Sequence, residues 1–497
     1  MYSYDYFERL KKEKIILFGA GRYGKLWHRI LIELGFNVFG FVDNNIDKHN
    51  STIAGMKVYS IDYILPEIDK FAFVITIKNS NSCVKKQLNR MGVCDDRIVS
   101  INDLYESEWL RHVIDENLRK VNYLQFDDKL DKCDSNISIF YDAQIFSMQK
   151  WGGISRYFYE IVGGISKKQG ARVTVLDGYN ISKVQFDNNV FKPFSCCVNS
   201  GLTQDEYIRN AANKLISQDY CKAVDSIDIY HPTYYEDYEL SNYKKKIITV
   251  ADMIHELFGL QDGTIPNKKK MVEDSDGIIA VSESTKTDLI NILGVPEDRV
   301  TVIYDGNSLN IDVSDEKRVV SDSYILYVGH RESYKNFICL LKAFSRSYMN
   351  HDLKLVCVGG GEFSKTELEM MENYNLLDRI EHLSGDDRML ANLYYNAEIF
   401  VYPSLYEGFG LPILEAMHYG TPVITSNVSS MPEIAGNSAE LFDPNSEEEL
   451  EYKISQLLND SKRRNQLSKL GIEREKEFSW EKSVNETYEY YKYILGA

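Results

Sequence analysis

The chain has 497 residues, with 57 Lys and Arg against 74 Asp and Glu, so its formal net charge is −17. At roughly 100–200 residues per domain, this length predicts about three domains. The hydrophobic share of 44% and the charged share of 26% are those of a folded globular protein and exclude a disordered or fibrous chain. The acidic balance argues against nucleic-acid binding, which needs a basic face, and against tight docking on an anionic membrane.

No apolar run approaches the roughly 20 residues that a membrane-spanning helix needs. The first residues, MYSYDYFERLKKEK, lack the apolar centre of a signal peptide. The eight cysteines form no C-x-x-C pair and read as reduced core residues. We therefore expect a cytoplasmic protein with at most peripheral contact at the inner face of the membrane.

The first hundred residues alternate apolar, strand-like runs with helical patterns. The strand candidates are 14–18, 37–43, 71–77 and 97–101. Near-continuous apolar runs between helices are typical of a parallel sheet that is covered on both faces. Residues 109–124 have apolar positions at helical spacing, and the polar run 127–136 reads as a linker. This predicts a small Rossmann-like domain over 1–105 and a helical linker over 106–136.

The same alternation restarts at residue 137 and continues to residue 303. It restarts again at 324, after the polar stretch 307–323, and runs to 442. We interpret these two series as doubly wound α/β lobes with a ligand cleft between them, over 137–318 and 319–480. The last helical pattern predicts a C-terminal helix over 481–497.

A glycine-rich loop, Gly19-Ala20-Gly21-Arg22-Tyr23-Gly24, follows the first predicted strand and opens a helix, and Asp43 closes the second strand. In such units the glycines allow close approach to a phosphate, and the acidic residue holds a ribose hydroxyl. Gly19, Gly21, Gly24 and Asp43 are thus candidates for binding a nucleotide or nucleotide sugar. A structural Rossmann unit with a vacant site is the alternative. A dehydrogenase is less favoured because no Tyr-x-x-x-Lys couple follows. FGAGRYGK…FVDNN resembles the small Rossmann units attached to sugar-modifying enzymes of bacterial polysaccharide pathways.

The most informative stretch is YPSLYEGFGLPILEAMHYGTPVITS, over 402–426, in which seven residues separate Glu407 from Glu415. Pro412 suits the start of a helix, whose unpaired amides attract an anionic phosphate. Gly408 and Gly410 let the backbone approach a ligand closely. Glu415 then falls in the first turn, where it can accept hydrogen bonds from sugar or ribose hydroxyls.

This stretch, with SSMPEIAG at 429–436, resembles retaining glycosyltransferase family 4, whose members have the GT-B fold. The resemblance covers about 350 residues. Other segments that carry it are FYDAQIFSMQKWGGISRYFYEI (140–161), HPTYY (231–235), DGIIAVSESTKTDL (276–289), YVGHRESYKN (327–336) and SGDDRMLANLYYNAEIFVYPS (384–404). The branch that it most resembles contains bacterial mannosyltransferases of O-antigen and capsule assembly.

The resemblance implies roles for these residues. Glu407 contacts the transferred sugar, and Glu415 contacts the ribose of the donor. Arg331 and Lys335 stabilise the leaving diphosphate, since guanidinium grips phosphate bidentately and the ammonium adds a point charge. Replacing either cation is expected to abolish transfer and leave the fold intact. The full donor-binding set is Gly152, Gly153, Gly408, Phe409, Gly410, Leu411 and Glu415.

Further candidates for acceptor or sugar contacts are Asp252, His255, His231 and Tyr234, and Tyr235 is a cleft-lining candidate beside the last. Family members often carry His-Asp where this chain has Ala251-Asp252. His255 lies three residues beyond Asp252 and is a candidate replacement. A structural histidine is the alternative for His255 and also for His231. Because two cations and a helix N-terminus are available for the diphosphate, we expect no metal and no cofactor besides the donor.

The sequence therefore predicts a retaining, metal-independent hexosyltransferase that moves a sugar from a nucleotide donor to a glycan or lipid-linked glycan. GDP-mannose is the favoured donor, and a UDP-sugar is the alternative. Two other hypotheses remain open. One is a sensor of nucleotide sugars without turnover, and the other is a bifunctional enzyme whose N-terminal domain acts on or senses a nucleotide sugar.

Overall fold

The structure of the protein is a computed structural model. It describes residues 2–77, 81–120, 137–150, 152–182, 185–186, 189–190, 192, 194–197, 201–224, 226–260, 263–331, 333–347 and 353–496. The predicted linker at 127–136 and the end of the helical pattern at 121–124 lie outside the described residues.

The N-terminal unit (residues 2–120) is built on one six-stranded sheet. Its strands are β1 (Lys14–Phe18), β2 (Asn37–Val42), β3 (Thr52–Ile53), β4 (Met56–Tyr59), β5 (Phe71–Ile75) and β6 (Ile98–Ser100). Its helices are α1 (Tyr4–Leu10), α2 (Arg22–Glu33), α3 (Ile61–Ile64), α4 (Asn81–Arg90), α5 (Ile101–Tyr105) and α6 (Glu108–Lys120). The strand order is β3-β4-β2-β1-β5-β6, and all pairs are parallel except β3–β4.

The middle lobe (residues 137–310) contains a second six-stranded sheet. The strands of this lobe are β7 (Ile137–Tyr141), β8 (Ala171–Val175), β9 (Gly178–Asn180), β10 (Ser195–Cys197), β11 (Ile227–His231), β12 (Tyr243–Val250), β13 (Gly277–Ala280) and β14 (Val300–Val302). Its helices are α7 (Gln144–Met148), α8 (Gly153–Ile165), α9 (Glu206–Ala223), α10 (Ile254–Phe258), α11 (Thr264–Glu273) and α12 (Glu283–Leu293). The sheet has the order β14-β13-β12-β11-β7-β8 and is parallel throughout, while β9 and β10 pair separately.

The C-terminal lobe (residues 311–496) contains the third sheet. Its strands are β15 (Tyr324–Val328), β16 (Lys354–Val358), β17 (Ile380–Leu383), β18 (Ile399–Tyr402), β19 (Val423–Ser426) and β20 (Ala439–Phe442). Its helices are α13 (Phe337–Ser347), α14 (Lys365–Asn373), α15 (Asp387–Asn396), α16 (Leu411–His418), α17 (Met431–Ala435), α18 (Glu447–Asn459), α19 (Ser461–Glu475) and α20 (Trp480–Leu495). The order β17-β16-β15-β18-β19-β20 is again parallel.

The three sheets, parallel throughout except at the β3–β4 pair, confirm the predicted doubly wound architecture. Strands with continuous apolar sequence are buried on both faces, as β5 is along its whole length. The strands β3, β4, β9 and β10 are only two to four residues long, too short for a recognisable apolar pattern, and were not predicted. Because the ends of a helix are defined only to within one or two residues, the predicted helix start at Pro412 agrees with the observed start of α16 at Leu411.

The three parts are in direct contact. The N-terminal unit packs α6 against α9 of the middle lobe, and Tyr105 donates a hydrogen bond to the Asp205 carboxylate at the start of α9 (2.7 Å). Apolar side chains from both parts form one buried core. The C-terminal helix α20 returns to the middle lobe, where Val484 packs closely on Gly164 of α8.

Candidate active site

The carboxyl ends of the strands in the middle and C-terminal lobes face a shared cleft, the usual place for a ligand in doubly wound folds. The loop after β18 reaches across it. Tyr406 of this loop accepts a hydrogen bond from the Met253 amide, just beyond β12, and donates one to Asp288 of α12. Gly408 accepts hydrogen bonds from Ser282 and Thr285. The two lobes are therefore joined at this loop.

Lys335 and Glu407 form an ion pair in the C-terminal lobe. Lys335 follows β15, and its Nζ lies 2.7 Å from Oε1 of Glu407 and 3.2 Å from the Tyr402 hydroxyl. The two paired side chains are 14% and 9% exposed, so a cation and a carboxylate are held together away from most solvent. The Glu407 amide also donates to Ser429, which fixes the backbone of the loop. The sequence predicts these two residues in one site, and the structure brings them together.

Helix α16 begins at Leu411, four residues beyond Glu407. Gly410 precedes it with φ of +113°, a conformation that favours glycine. The positive end of the helix dipole and the amides of its first turn are at the end of the loop that carries Glu407. Phe409 is 5% exposed and packs against Tyr304 and Phe478, so its side chain belongs to the core. Only its backbone is available to contact a nucleotide sugar.

The structure places Arg331 differently from the sequence prediction. Its guanidinium is buried and pairs with Glu367 at 2.9 Å. It also donates to three backbone carbonyls of the loop after β16, those of Gly359, Gly361 and Glu362. The guanidinium lies 4.5 Å from the centre of the Phe363 ring. These contacts make Arg331 the anchor of that loop rather than a cation held ready for phosphate.

Replacing Arg331 by methionine is therefore expected to destabilise the C-terminal lobe by about 3–5 kcal/mol, because a buried Glu367 carboxylate loses its cation. Urea unfolding of the full chain measures this loss. The double variant Arg331→Met/Glu367→Met removes both charges and is expected to recover part of the stability. An unchanged unfolding midpoint with abolished transfer would instead support the role in phosphate binding that the sequence predicts.

Glu415 lies inside the first turns of α16 and is 7% exposed. Its Oε2 accepts a hydrogen bond from the Tyr394 hydroxyl at 2.9 Å, and its Oε1 lies 3.4 Å from Nη1 of Arg156. Burial raises the pKa of the Glu415 carboxyl, and the nearby Arg156 charge opposes that rise. Arg156 belongs to α8 of the other lobe, and sequence reasoning did not select it. The segment GGISR contained the only available signal, an arginine three residues beyond the glycine pair.

Family models match three stretches that together follow the three sheets. "C2185-like, N-terminal" matches residues 11–99, "Glycosyltransferase Family 4" matches 151–310, and "Glycosyl transferases group 1" matches 312–474. The middle and C-terminal lobes therefore belong to the glycosyltransferases of family 4 and group 1. The predicted family and the additional N-terminal domain are confirmed.

Curated relatives of the chain include two from Escherichia coli. "O-antigen chain mannosyltransferase B" is 33% identical over 231 residues, which cover 44% of this chain and 60% of the relative. "Serotype-specific mannosyltransferase WbdA" is 28% identical over 248 residues, covering 46% and 30%. The chain thus spans between about a third and three fifths of the length of these relatives.

Among solved structures, sucrose-phosphate synthase from Thermosynechococcus elongatus superposes with a TM-score of 0.58 at 19% identity. The superposition covers 73% of this chain and 99% of that one. This likeness concerns the fold alone and confirms the predicted GT-B architecture. Within the residues that the structure describes, no helix is both long and apolar enough to cross a bilayer.

The glycine pair of the middle lobe is at the start of α8. Gly153 opens the helix, and a Cβ added there would meet the Leu411 side chain of the opposite lobe at 3.8 Å. Gly152 precedes the helix, and a Cβ there would overlap the Gln149 side chain at 2.2 Å. The pair therefore lies where α8 and α16 approach each other across the cleft.

His231 has the structural role that the sequence leaves open as the alternative to a sugar contact. The ring is fully buried at the end of β11, with Nδ1 bonded to the Tyr491 hydroxyl (2.5 Å) and Nε2 to the Thr249 hydroxyl (2.9 Å). Burial lowers the pKa of His231 to about 3, so the imidazole is neutral at physiological pH. It ties α20 to the middle sheet, and both ring nitrogens are already used by the protein.

The remaining candidates lie beyond β12 and β11. Asp252 is partly exposed, and its Oδ1 accepts the amide of Ile254 at 3.0 Å, which shapes the start of α10. His255 is partly exposed in α10. Tyr234 is partly exposed and packs against Tyr235 with ring centres 4.6 Å apart. Tyr235 itself is 5% exposed and belongs to the core.

The N-terminal glycine loop has the predicted strand–loop–helix geometry. A Cβ on Gly24 would overlap the Gly19 carbonyl oxygen at 2.0 Å, so this glycine allows the helix to pack on the loop. Gly21 immediately precedes α2, and a Cβ there would meet no atom within 4 Å. Asp43 accepts the Ala20 amide (2.8 Å) and pairs with Lys48 (2.9 Å). Burial opposes ionisation of Asp43, but these partners and the Asn45 amide outweigh it and lower its pKa. The carboxylate expected to meet a ribose is bound to its own loop.

Proposed function

We propose that this chain transfers a sugar, with retention of configuration, from a nucleotide-sugar donor to a hydroxyl of a glycan acceptor in bacterial surface polysaccharide synthesis. Mannose from GDP-mannose is the primary assignment, supported by the names of the two Escherichia coli relatives. A UDP-sugar is the alternative donor. The observation that carries the proposal is the largely buried Lys335–Glu407 pair, whose carboxylate belongs to the loop that leads into α16.

In this proposal each residue acts on a different part of the donor. The Lys335 ammonium and the first amides of α16 stabilise the charge that develops on the leaving diphosphate. Glu407, held by Lys335, positions the hydroxyls of the transferred sugar. Glu415 accepts hydrogen bonds from the ribose hydroxyls. The backbone at Gly152 and Gly153 borders the diphosphate from the middle lobe.

Chemically, the bond between the anomeric carbon and the phosphate oxygen breaks on the same face on which the acceptor oxygen bonds to that carbon. The acceptor proton passes to the leaving phosphate oxygen, so no protein carboxylate needs to attack the sugar. The ion pair with Lys335 keeps Glu407 a poor nucleophile, which favours this front-face path over a glycosidase-like double displacement.

A donor panel tests the proposal directly. The purified full-length protein is incubated with GDP-mannose and several UDP-sugars plus a mannose oligosaccharide acceptor, and the product linkage is assigned by NMR. We expect GDP release and an α-linked product from GDP-mannose, with activity unchanged in EDTA. An inverted anomer would contradict retention, activity restored only by Mn²⁺ would contradict metal independence, and turnover of a UDP-sugar alone would select the alternative donor.

A further inference from the structure

We propose that Arg156, contributed by the middle lobe, is the positioning residue that orients Glu415 for the ribose of the donor, so that the donor site is complete only when the lobes are closed. This inference rests on the proposed function, because it assumes that Glu415 meets a nucleotide. Arg156 lies in a different lobe from the residue that it serves.

The contacts of Arg156 cross the cleft. The residue lies in the first turn of α8, three residues beyond Gly153. Its Nη2 pairs with the Asp387 carboxylate of α15 at 2.9 Å, and its Nη1 lies 3.4 Å from Oε1 of Glu415. Asp387 and Glu415 both belong to the C-terminal lobe, so a single guanidinium bridges one helix of the middle lobe to two helices opposite.

The two carboxylates differ in their surroundings. The Asp387 side chain is 52% exposed, so its pair with Arg156 resembles a surface salt bridge of small energetic weight. The Glu415 side chain is 10% exposed, and water screens its interaction with Arg156 much less. Asp387 therefore acts as the anchor of the guanidinium, and Glu415 is the group that the guanidinium influences.

The positive charge of Arg156 favours the ionised form of Glu415. Burial raises the pKa of its carboxyl, the Arg156 charge is the strongest influence that opposes the rise, and the nearby Asp387 charge adds to it. A carboxylate accepts hydrogen bonds from ribose hydroxyls better than a protonated carboxyl does, since ionised acceptors form the stronger bonds. The Tyr394 hydroxyl occupies Oε2, which leaves Oε1, on the Arg156 side, for the ligand.

Closure of the lobes therefore affects how the donor is bound. Arg156 moves with the middle lobe, whereas Glu415, Tyr394 and Asp387 move with the C-terminal lobe. When the lobes separate, Glu415 stays buried and loses its cation. When they close, the guanidinium returns and the carboxylate is oriented. The donor is then held by its ribose only when the lobes are closed.

The experiment measures nucleotide affinity of the full-length protein by calorimetry, using GDP and 2′,3′-dideoxy-GDP, with UDP and 2′,3′-dideoxy-UDP in parallel. The variants are Arg156→Met, Arg156→Lys, Glu415→Gln and the double variant Arg156→Met/Glu415→Gln. We expect Arg156→Met to weaken binding of the preferred diphosphate roughly tenfold or more, the scale of a lost charge-assisted contact. The dideoxy compound should bind almost equally to wild type and variant, and Arg156→Lys should recover part of the loss.

Arg463→Met is the matched control, because Arg463 pairs with Glu440 at 2.8 Å within the C-terminal lobe, outside the cleft residues named above. It should leave both affinities unchanged. Equal losses for GDP and dideoxy-GDP would overturn the proposal and make Arg156 a direct phosphate ligand. Additive losses in the double variant would also overturn it, since Arg156 would then act independently of Glu415. If the wild-type protein bound neither nucleotide, the proposed function itself would fail. Normal binding by the wild-type protein with no effect of Arg156→Met would overturn only the role of Arg156.

Discussion

Lys335→Met is expected to lower kcat for sugar transfer about 10²- to 10³-fold, the usual consequence of removing one fixed group that stabilises charge in the transition state. The structure supports a large effect because the ammonium is only 14% exposed and is held by Glu407 and the Tyr402 hydroxyl. A cation in such a site is oriented before the reaction begins and needs no reorganisation while the diphosphate departs.

The loss should be specific to the diphosphate. Affinity for the nucleoside diphosphate should fall in Lys335→Met, whereas affinity for the corresponding nucleoside should change little, and calorimetry compares the two. Lys342→Met is the control, because Lys342 lies in the following helix and pairs with Glu447 on a more exposed surface, at 3.0 Å. It should retain full activity.

Lys335→Met also leaves the Glu407 carboxylate without its cation, so thermal unfolding must be measured beside the kinetics. Loss of activity at a nearly unchanged unfolding midpoint assigns the effect to chemistry. Near-normal kcat/KM would show that the leaving phosphate is stabilised by other groups, and the assigned role of Lys335 would be wrong.

The fold was largely predictable because the sequence of most of its strands is a continuous apolar run. Runs such as FAFVI at β5 and IFVY at β18 are apolar throughout, as buried parallel strands require. Strands β3 and β4 were not predictable in this way. They are two and four residues long and lie at one end of the N-terminal sheet, β3 at its edge and β4 next to it, where pairing depends on neighbouring strands rather than on local sequence.

The candidate site was predictable where a residue's role depends on its own loop. Glu407, Gly410 and Glu415 belong to one continuous motif, and their placement follows from a strand, a glycine turn and a helix start. The positions of Arg331 and Arg156 depend on distant partners. Arg331 is bound by a loop about 30 residues away, and Arg156 meets carboxylates more than 200 residues away. No local pattern indicates which arginine will be anchored in a loop and which will cross the cleft.

Gly408→Ala is expected to abolish most of the transfer activity for a different reason, because the added methyl group disturbs the fit between the lobes. A Cβ on Gly408 would lie 1.7 Å from the Ala251 carbonyl oxygen and 2.9 Å from Cβ of Asp252, both in the middle lobe. The Gly408 carbonyl also accepts a 2.6 Å hydrogen bond from Ser282 of that lobe. Since backbone atoms oppose the added methyl group, no side-chain rotation can relieve the overlap, and the lobes must move apart.

A shift of about 1 Å in reacting groups lowers rates roughly 10²-fold, so kcat/KM in Gly408→Ala should fall by at least that factor. The fold should persist, because each lobe has buried apolar clusters behind the cleft. Gly163→Ala is the matched control, since a Cβ there, on the outer part of α8, meets no atom within 4 Å. Small-angle scattering should show a larger radius of gyration for Gly408→Ala alone. Full activity in that variant would mean that the lobes already work further apart than the contact at Gly408 allows, and closure at this loop would then have no part in the reaction.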